Sequence, residues 1–470
     1  MQIPKFKDYI TEAKGSGPFR IIIISDEPEN DKNFHTAKNL LKQAEKLGHK
    51  GYIYRNTGGY VNRGDDGELY FHNKDDKKGF RASAKDTIAI IRGSVVRKDS
   101  WMDIVSRLEK HVVCVVNSRQ CVSICADKYR TSLRLSDYGV KQPKTVLITD
   151  PEKSVEAFEQ LEEKFPVILK TLRGSKGVGV LFIESERALD SIVQLLNKQD
   201  EDSDLLLQQY IKTKWDARVL VLQGKIFATM KREVIPGDFR SNVSQGAEVK
   251  ELELTDLEIE ESLKAAKAVD GQWVAVDFIP AENRKKDPPF VIEVNSSPGT
   301  EGIEEATNRN LSKELIQHFE DRDNWKKVPS ECGFKEVVNI KPFGRIVGKF
   351  DTGNSGTSVI HADKMKVSGK KLTWTLEGKT ITSDIIRTQK IKVGGLRDYE
   401  EERYAIKLDV EFAGGYYKDV EFTLDDRDEK SKILFDRETM NRFNVMVNPN
   451  RKYVITTKYS LDDKIIDKDS

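Results

Sequence analysis

Phe290–Gly302 reads FVIEVNSSPGTEG, a short apolar run that closes on Glu-x-Asn and then breaks at Pro298 and Gly299. In a strand, side chains at i and i+2 share a face. Glu293 and Asn295 therefore project together from an otherwise apolar run. A second apolar stretch, WVAVD, ends on Asp277. Three oxygen donors from neighbouring strand ends suit Mg2+, which takes hard oxygen ligands and keeps positions for phosphate and water. A satisfied polar cluster at a strand end is the other meaning such a pattern carries.

Upstream, PVILK leads into Lys170–Gly179, KTLRGSKGVG. Glycines in a short connection let backbone N–H groups wrap an anion, and Lys170 would add a fixed positive charge. The spacing is not G-x-x-x-x-G-K-[ST], so a Walker A loop is excluded. A flexible glycine hairpin is the alternative. Lys231, Arg232 and the segment Gly237–Asn242 (GDFRSN) set arginines at a strand end and in the loop that follows. There they would either neutralise a transferring phosphoryl group or serve as solvated surface charge.

Around these motifs the chain divides by pattern. Phe19–Ser25, Thr87–Arg92 and Val112–Asn117 are apolar runs that predict buried strands, and His35–Leu47 has helical spacing ending at Gly48. Together they predict a small parallel-sheet α/β domain over residues 18–118, with Asp65–Lys78 as a hairpin or surface loop. Residues 119–322 show a helix near Ala126–Leu135 and strands at Val167–Thr171, Val178–Ile183, Leu205–Ile211, Arg218–Leu222 and Lys225–Lys231. The helix Asp256–Val269 and strands Trp273–Ile279 and Phe290–Val294 follow. Many strands and few helices predict an α+β domain with an antiparallel sheet.

Asp323–Lys335 is charged, contains Pro329 and Gly333, and reads as a linker. Residues 336–470 predict an all-β module, with strands from Val337–Ile340 to Lys452–Thr456 and Gly-Gly turns at Gly394–Gly395 and Gly414–Gly415. The chain thus reads as a multidomain α+β protein.

Composition narrows the partners. Lys and Arg (78) balance Asp and Glu (77) for a net charge of +1 over 470 residues, which removes the simplest argument for a nucleic-acid or membrane surface. No apolar run approaches transmembrane length, and Met1–Lys14 lacks the apolar core of a secretory signal, so a cytoplasmic location is expected. Cys114, Cys121, Cys125 and Cys332 are too few and too uneven for a disulfide framework. Cys121 and Cys125 lie four apart and invite a metal reading, but without His or Asp at ligand spacing they read as buried small hydrophobes.

With these motifs in order, the run from Asn117 to about Asn308 resembles the RimK-type ATP-grasp ligases. The carrying segments are ADK (Ala126–Lys128), FPVILKTLRGSKGVGV, LLLQQYIKTKWDARVLV, KREVIPGDFRSNVSQGAE, WVAVDF and VIEVNSSPGTEGIEEAT. Residues 18–118 look like the family's pre-ATP-grasp domain. The resemblance implies ATP with two Mg2+ or Mn2+ ions. It sets Lys128 and Lys170 at the phosphates, beneath a loop containing Gly174, Ser175 and Gly177, and Gln209, Tyr210 and Ile211 at the adenine hinge. It assigns Asp216 to the ribose. Arg218, Arg232, Arg240, Ser241 and Asn242 surround the phosphates and acceptor carboxylate, with Arg232 and Arg240 acting in catalysis. Asp277, Glu293 and Asn295 match the metal ligands.

The implied reaction phosphorylates a carboxylate and joins it to an amine. By resemblance the amine is an amino acid, glutamate foremost, and the acceptor a peptide or protein, ribosomal in some relatives. Ser244-Gln245-Gly246-Ala247 stands where the family usually has His-Arg-Gly-Gly, which leaves the substrate open. A small-peptide ligase and a non-catalytic ATP-binding scaffold are the competing readings.

Phe350–Thr357 reads FDTGNSGT. Asp-Thr-Gly after an apolar strand resembles the retropepsin-like domains found with RimK-type ligases, as do Thr357-Ser358, His361-Ala362 and KILFDRETM…VMVNPNRKYVI. Such peptidases need two carboxylates sharing a proton. One triplet per chain would make Asp351 catalytic only in a homodimer. The hairpin Leu372–Ile386 would be its flap. Asn354 and Asp436 depart from the small residue and the glycine expected there, so a degenerate, dimerising domain is the alternative. No H-E-x-x-H occurs, and no zinc site is expected.

Overall fold

Four isoleucines in a row, Ile21–Ile24, form a strand buried on both faces. A computed structural model describes residues 18–25, 32–55, 58–74, 76, 78–93, 99–172, 179–199, 204–234, 248–327, 329–392, 400–413, 415–427 and 431–456. The chain separates into two units, residues 1–327 and 328–470.

The first unit opens with β1 (Arg20–Ser25), α1 (Lys32–Lys46), β2 (Lys50–Arg55), β3 (Gly59–Arg63), β4 (Leu69–Asn73), β5 (Phe80–Ala82), β6 (Thr87–Arg92), α2 (Asp99–His111) and β7 (Cys114–Val116). Strands β2-β1-β6-β7 make a parallel sheet. Ile21, Ile23, Ile88 and Ile90 pack with Phe34, Ala37 and Leu40 of α1. Ile22, Ile24, Ala89 and Ile91 pack with Trp101, Val105 and Leu108 of α2. Helices on both faces explain why these strands are continuously apolar. The expected hairpin near Asp65–Lys78 belongs to a separate antiparallel sheet, β3-β4-β5.

Next come α3 (Arg119–Cys125), α4 (Lys128–Asp137), β8 (Thr145–Ile148), α5 (Ser154–Leu161), β9 (Val167–Thr171), β10 (Val180–Ile183), α6 (Glu186–Gln199) and β11 (Leu205–Gln209). They are followed by β12 (Trp215–Leu222), β13 (Lys225–Glu233), β14 (Val249–Glu251), α7 (Asp256–Ala268), β15 (Trp273–Ile279), β16 (Phe290–Asn295), α8 (Glu301–Thr307) and α9 (Leu311–His318). The expectation of one antiparallel sheet with few helices is corrected on both counts. There are two antiparallel sheets, β10-β9-β11-β8 and β14-β13-β12-β15-β16, and seven α-helices among the described residues of this stretch. The helices were hidden because their buried stripes are narrow: α6 buries only Leu189 and Val193, one helical turn apart on a charged segment. No helix among the described residues is long and apolar enough to cross a membrane.

The five-stranded sheet decides the rest. One face carries Ala217, Val219, Val276, Phe278, Val291 and Val294 against Ala265, Ala266 and Val269 at the end of α7. Cys121 packs into this core, and all four cysteines are free. On the other face, cross-strand partners Arg218↔Asp277 and Asp277↔Glu293 line up in one charged row. Val291 and Glu293 are two apart and would share a face in a regular strand. A register shift pairs Phe278 with Val291 and Asp277 with Glu293, so Ile292 is the extra residue of a bulge. The bulge sends Val291 into the apolar core and Glu293 to the charged face.

The second unit contains β17 (Ser330–Gly333), β18 (Lys335–Lys341), β19 (Gly344–Phe350), β20 (Ser358–His361), β21 (Asp363–Ser368), β22 (Lys371–Leu376) and β23 (Lys379–Asp384). It continues with β24 (Arg387–Lys392), β25 (Glu400–Phe412), β26 (Gly415–Asp425), β27 (Ile433–Phe435), α10 (Arg437–Phe443) and β28 (Val445–Asn448). A seven-stranded sheet, β18-β19-β27-β20-β26-β25-β24, is joined across itself by β18–β25 pairing. Within Asp323–Lys335, Ser330–Gly333 pairs with β28, and buried Cys332 lies in the core. Gly394, Gly395 and Gly414 lie outside the described residues.

Lys452–Thr456, expected as a closing strand, is irregular. Tyr453 N donates to Lys335 O, but the N–H groups of Val454, Ile455 and Thr456 go to a side chain rather than to a ladder. The Glu336 carboxylate, with no exposed surface, accepts from Gly333 N (2.7 Å), Val454 N (2.7 Å), Ile455 N (3.1 Å) and Thr456 N (3.0 Å). Charge-assisted bonds of this kind are the stronger ones, and unmatched buried donors cost about 1–3 kcal/mol each. Glu336→Ala should destabilise the protein by about 3 kcal/mol or more, read from the denaturant midpoint; a loss under ~1 kcal/mol would show that the carboxylate does not hold this segment.

Candidate functional site

Asp216 and Arg218 lie two apart on β12, so both reach the charged face. Arg218 clasps Asp277 with two hydrogen bonds, Nε to Oδ1 at 2.8 Å and Nη2 to Oδ2 at 2.7 Å. Arg232 on β13 clasps Asp216 in the same way, at 2.6 and 2.8 Å, and lies 3.2 Å from Asp277 Oδ2. The result is a chain of alternating charge, Asp216–Arg232–Asp277–Arg218. Asp277 and Arg232 are buried, at 3% and 5% exposure. Burial alone would raise the Asp277 carboxyl, but the two guanidinium groups outweigh it and hold it down to about 2. An unpaired buried carboxylate would instead go neutral.

Glu293 continues this row on β16, with Asn295 two residues on, both half-buried. Two carboxylates and a carboxamide on adjacent strands form a hard-oxygen donor set of the kind magnesium takes, so the residues fit that ion. Two lysines face the same region. The first backbone N–H of α4, from Lys128, donates to Leu172 O just beyond β9, which brings Lys128 beside Lys170. Burial pushes the Lys170 ammonium down to about 8, with Glu293 pulling it up and Lys128 pushing it further down. Burial lowers Lys128 as well, again against Glu293.

Lys170 Nζ donates to Gln208 Oε1 at 2.6 Å, and Gln208 Nε2 to Thr145 Oγ1 at 3.0 Å. Sequence reasoning missed Gln208; its signal was a polar residue closing the apolar run of β11. Thr171 N bonds Gly179 O, and a Cβ at Gly179 (φ +80°) would meet Thr171 Oγ1 at 2.2 Å, so only glycine closes this loop.

Gln209 closes β11, and Tyr210 and Ile211 begin the segment that joins the four-stranded sheet to β12. Gln209 exchanges bonds with Lys144, and Tyr210 stands edge-on to Phe182 with centroids 5.0 Å apart. The first unit therefore gathers Lys128, Lys170, Asp216, Arg218, Arg232, Asp277, Glu293 and Asn295, with Gln209, Tyr210 and Ile211 at the connection. Gly174, Ser175, Gly177, Arg240, Ser241 and Asn242 lie outside the described residues.

In the second unit Asp351 follows β19 directly and is half-buried in an exposed loop. Its Oδ1 accepts from Gly353 N at 2.9 Å. Both departures from the retropepsin-like pattern have structural work. Asn354 braces the loop, accepting from Gly356 N and, through its carbonyl, from Arg437 N. Asp436 caps α10, accepting from Glu438 N, Thr439 N and the Ser358 hydroxyl. The hairpin of β22 and β23 belongs to the three-stranded sheet β21-β22-β23.

Comparison with known proteins bears on the first unit. The RimK-like ATP-grasp domain matches residues 125–319. A "Probable alpha-L-glutamate ligase" of Marinomonas sp. (strain MWYL1) is 33% identical over 303 residues, 64% of this chain and 95% of that protein. Another, of Coxiella burnetii (strain Dugway 5J108-111), is 35% identical over 219 residues, 46% of this chain and 70% of that protein. Among solved structures, the ATP-grasp ligase PsnB complexed with minimal precursor spans 66% of this chain and 99% of its own, at 17% identity and TM-score 0.49. The chain belongs to the RimK-like ATP-grasp family.

Breaking a buried ion pair leaves a charge without its partner and costs about 3–5 kcal/mol. Asp216→Asn breaks one such pair but leaves Arg232 its contact with Asp277, so it should destabilise the first unit by somewhat less, about 2–3 kcal/mol in denaturant unfolding. Arg232→Met in the Asp216→Asn background should recover part of that loss, and an additive double mutant would show that the two side chains are not coupled.

Proposed function

We propose that this protein is an ATP-dependent carboxylate–amine ligase that adds an amino acid, glutamate by likeness to its relatives, to a peptide or protein carboxylate. The observation that carries the reading is the charged row Arg218–Asp277–Glu293, with Lys128 and Lys170 beside Glu293. Among the described residues, the row and its two lysines are carboxylates, guanidiniums and ammoniums, with no serine or cysteine in their number. That suits phosphoryl transfer, where positioning and charge neutralisation supply nearly all of the catalysis.

Asp277, Glu293 and Asn295 would hold magnesium, which when bound neutralises phosphate charge. Lys128 and Lys170 would draw ATP phosphate oxygens by charge, with Gln208 aiming the Lys170 ammonium. Gln209, Tyr210 and Ile211 would receive the adenine, and Arg240, Ser241 and Asn242 would approach the phosphates and the acceptor carboxylate. A substrate carboxylate oxygen attacks the γ-phosphorus, the bond to the bridging oxygen breaks, and ADP leaves with its electron pair. The amine then attacks the acyl carbon, inorganic phosphate leaves, and the amine proton passes to solvent. Arg218 and Arg232 would supply positive charge to the transferring group. Glu293→Ala protein should lose amino-acid-dependent ADP release by at least ~100-fold, a few kcal/mol of barrier, in a coupled assay. A wild-type protein that releases no ADP with any amino acid or peptide defeats the reading.

The second unit we read as a retropepsin-like module in which Asp351 would act from a two-fold dimer. The half-buried Asp351 carboxylate, in a loop braced by Asn354 and next to the α10 cap, favours this reading. Asp351→Asn should abolish peptide cleavage while leaving ligation intact. If cleavage by the purified variant matches that of the wild type, the module is not an aspartic peptidase.

A further inference from the structure

Asn117 lies immediately beyond β7 and is buried, with 1% of its surface exposed. Its side chain uses every hydrogen-bonding position that a carboxamide has. Oδ1 accepts from Gln272 N at 2.8 Å and Trp273 N at 2.9 Å. Nδ2 donates to Trp273 O and to Ser296 O, both at 2.7 Å. Two flanking backbone N–H donors fix which end of the amide is oxygen. Trp273 starts β15, and Ser296 directly follows Asn295 at the end of β16. The Asn117 amide thus ties together, where the β15–β16 ladder ends, the two strands that carry Asp277, Glu293 and Asn295.

Arg92 repeats the device from the neighbouring strand. It ends β6, has no exposed surface, and donates from Nη1 to Pro298 O at 2.7 Å. Its guanidinium also lies over the Trp273 ring, 5.6 Å from the centroid. Next to it, Gly93 N bonds Ser297 Oγ at 2.9 Å. Adjacent parallel strands therefore grip alternate carbonyls, Ser296 and Pro298, of the segment that leaves the metal-ligand strand. An apolar side chain would close the core at least as well without burying polar groups. What Arg92 and Asn117 add is a fixed path for the backbone directly after Asn295.

We infer that Arg92 and Asn117 are positioning residues that hold the carboxyl end of β16, and with it Glu293 and Asn295, in the geometry that binds a divalent cation with nucleotide. The inference rests on reading Asp277, Glu293 and Asn295 as metal ligands. Groups that orient metal ligands typically set about 10–100-fold in metal affinity.

The test is Mn2+ binding to the full-length protein in the presence of ADP, followed by electron paramagnetic resonance, with ADP binding in EDTA measured in parallel. Asn117→Asp keeps both acceptors and replaces the amide donor with an oxygen facing two carbonyls. Arg92→Met removes the grip on Pro298, and Arg92→Lys restores a donor. Asn117→Asp and Arg92→Met should each weaken Mn2+ binding about tenfold, leave metal-free ADP affinity within about twofold, and broaden the bound Mn2+ spectrum. Arg92→Lys should recover most of the loss. Unchanged Mn2+ affinity in the folded variants, or a parallel fall in metal-free ADP binding, overturns the positioning role. Glu293→Ala separates the two failures: if it too leaves Mn2+ affinity unchanged, the assignment of the metal site itself is wrong.

Discussion

The clasp between Arg218 and Asp277, extended through Arg232 to Asp216, is the interaction on which the first unit depends. Charged groups withdrawn from water cost several kcal/mol each, and only close, well-directed partners offset that cost. Here each carboxylate receives a two-toothed guanidinium, the geometry best suited to the task. All four side chains point the same way only because of the register β13-β12-β15-β16. A one-residue slip would turn them into the apolar core behind the sheet. The ion chain and the strand register therefore specify each other.

Much of this was legible in the sequence, because strand periodicity is local. Ile21–Ile24 announced a doubly covered strand, and Glu293 with Asn295 announced a shared face. Asp277 was found for the same reason, as a charge closing an apolar run. Helices α5 and α6 were not found, since they offer few buried apolar residues among their charges. The closing strand expected at Lys452–Thr456 failed for a different reason. Its backbone is satisfied by Glu336, about 120 residues away in sequence, and no local pattern encodes that. The partners of Asn117 are 155 to 179 residues distant and were equally invisible. Asp216 was expected at a ribose; its carboxylate oxygens are both engaged by Arg232, a pairing that depends on cross-strand neighbours rather than on spacing.

Buried carboxylates are satisfied in two ways. Asp216 and Asp277 in the first unit, like Asp425 in the second, are paired with arginines. In the second, Glu336 and Asp436 accept mainly backbone N–H groups and act as fasteners. The Asp436 carboxylate supplies the cap that the first turn of α10 requires.

The bulge at Ile292 makes β16 a counting device. Its purpose is arithmetic: it inserts one step between a residue owed to the core and a residue owed to the charged face. Flattening the bulge with Ile292 kept would set Val291 and Glu293, two apart, on one face. Without Ile292 the order Val291, Glu293, Val294, Asn295 alternates core face and charged face by itself, so the bulge absorbs one residue that the alternation does not use.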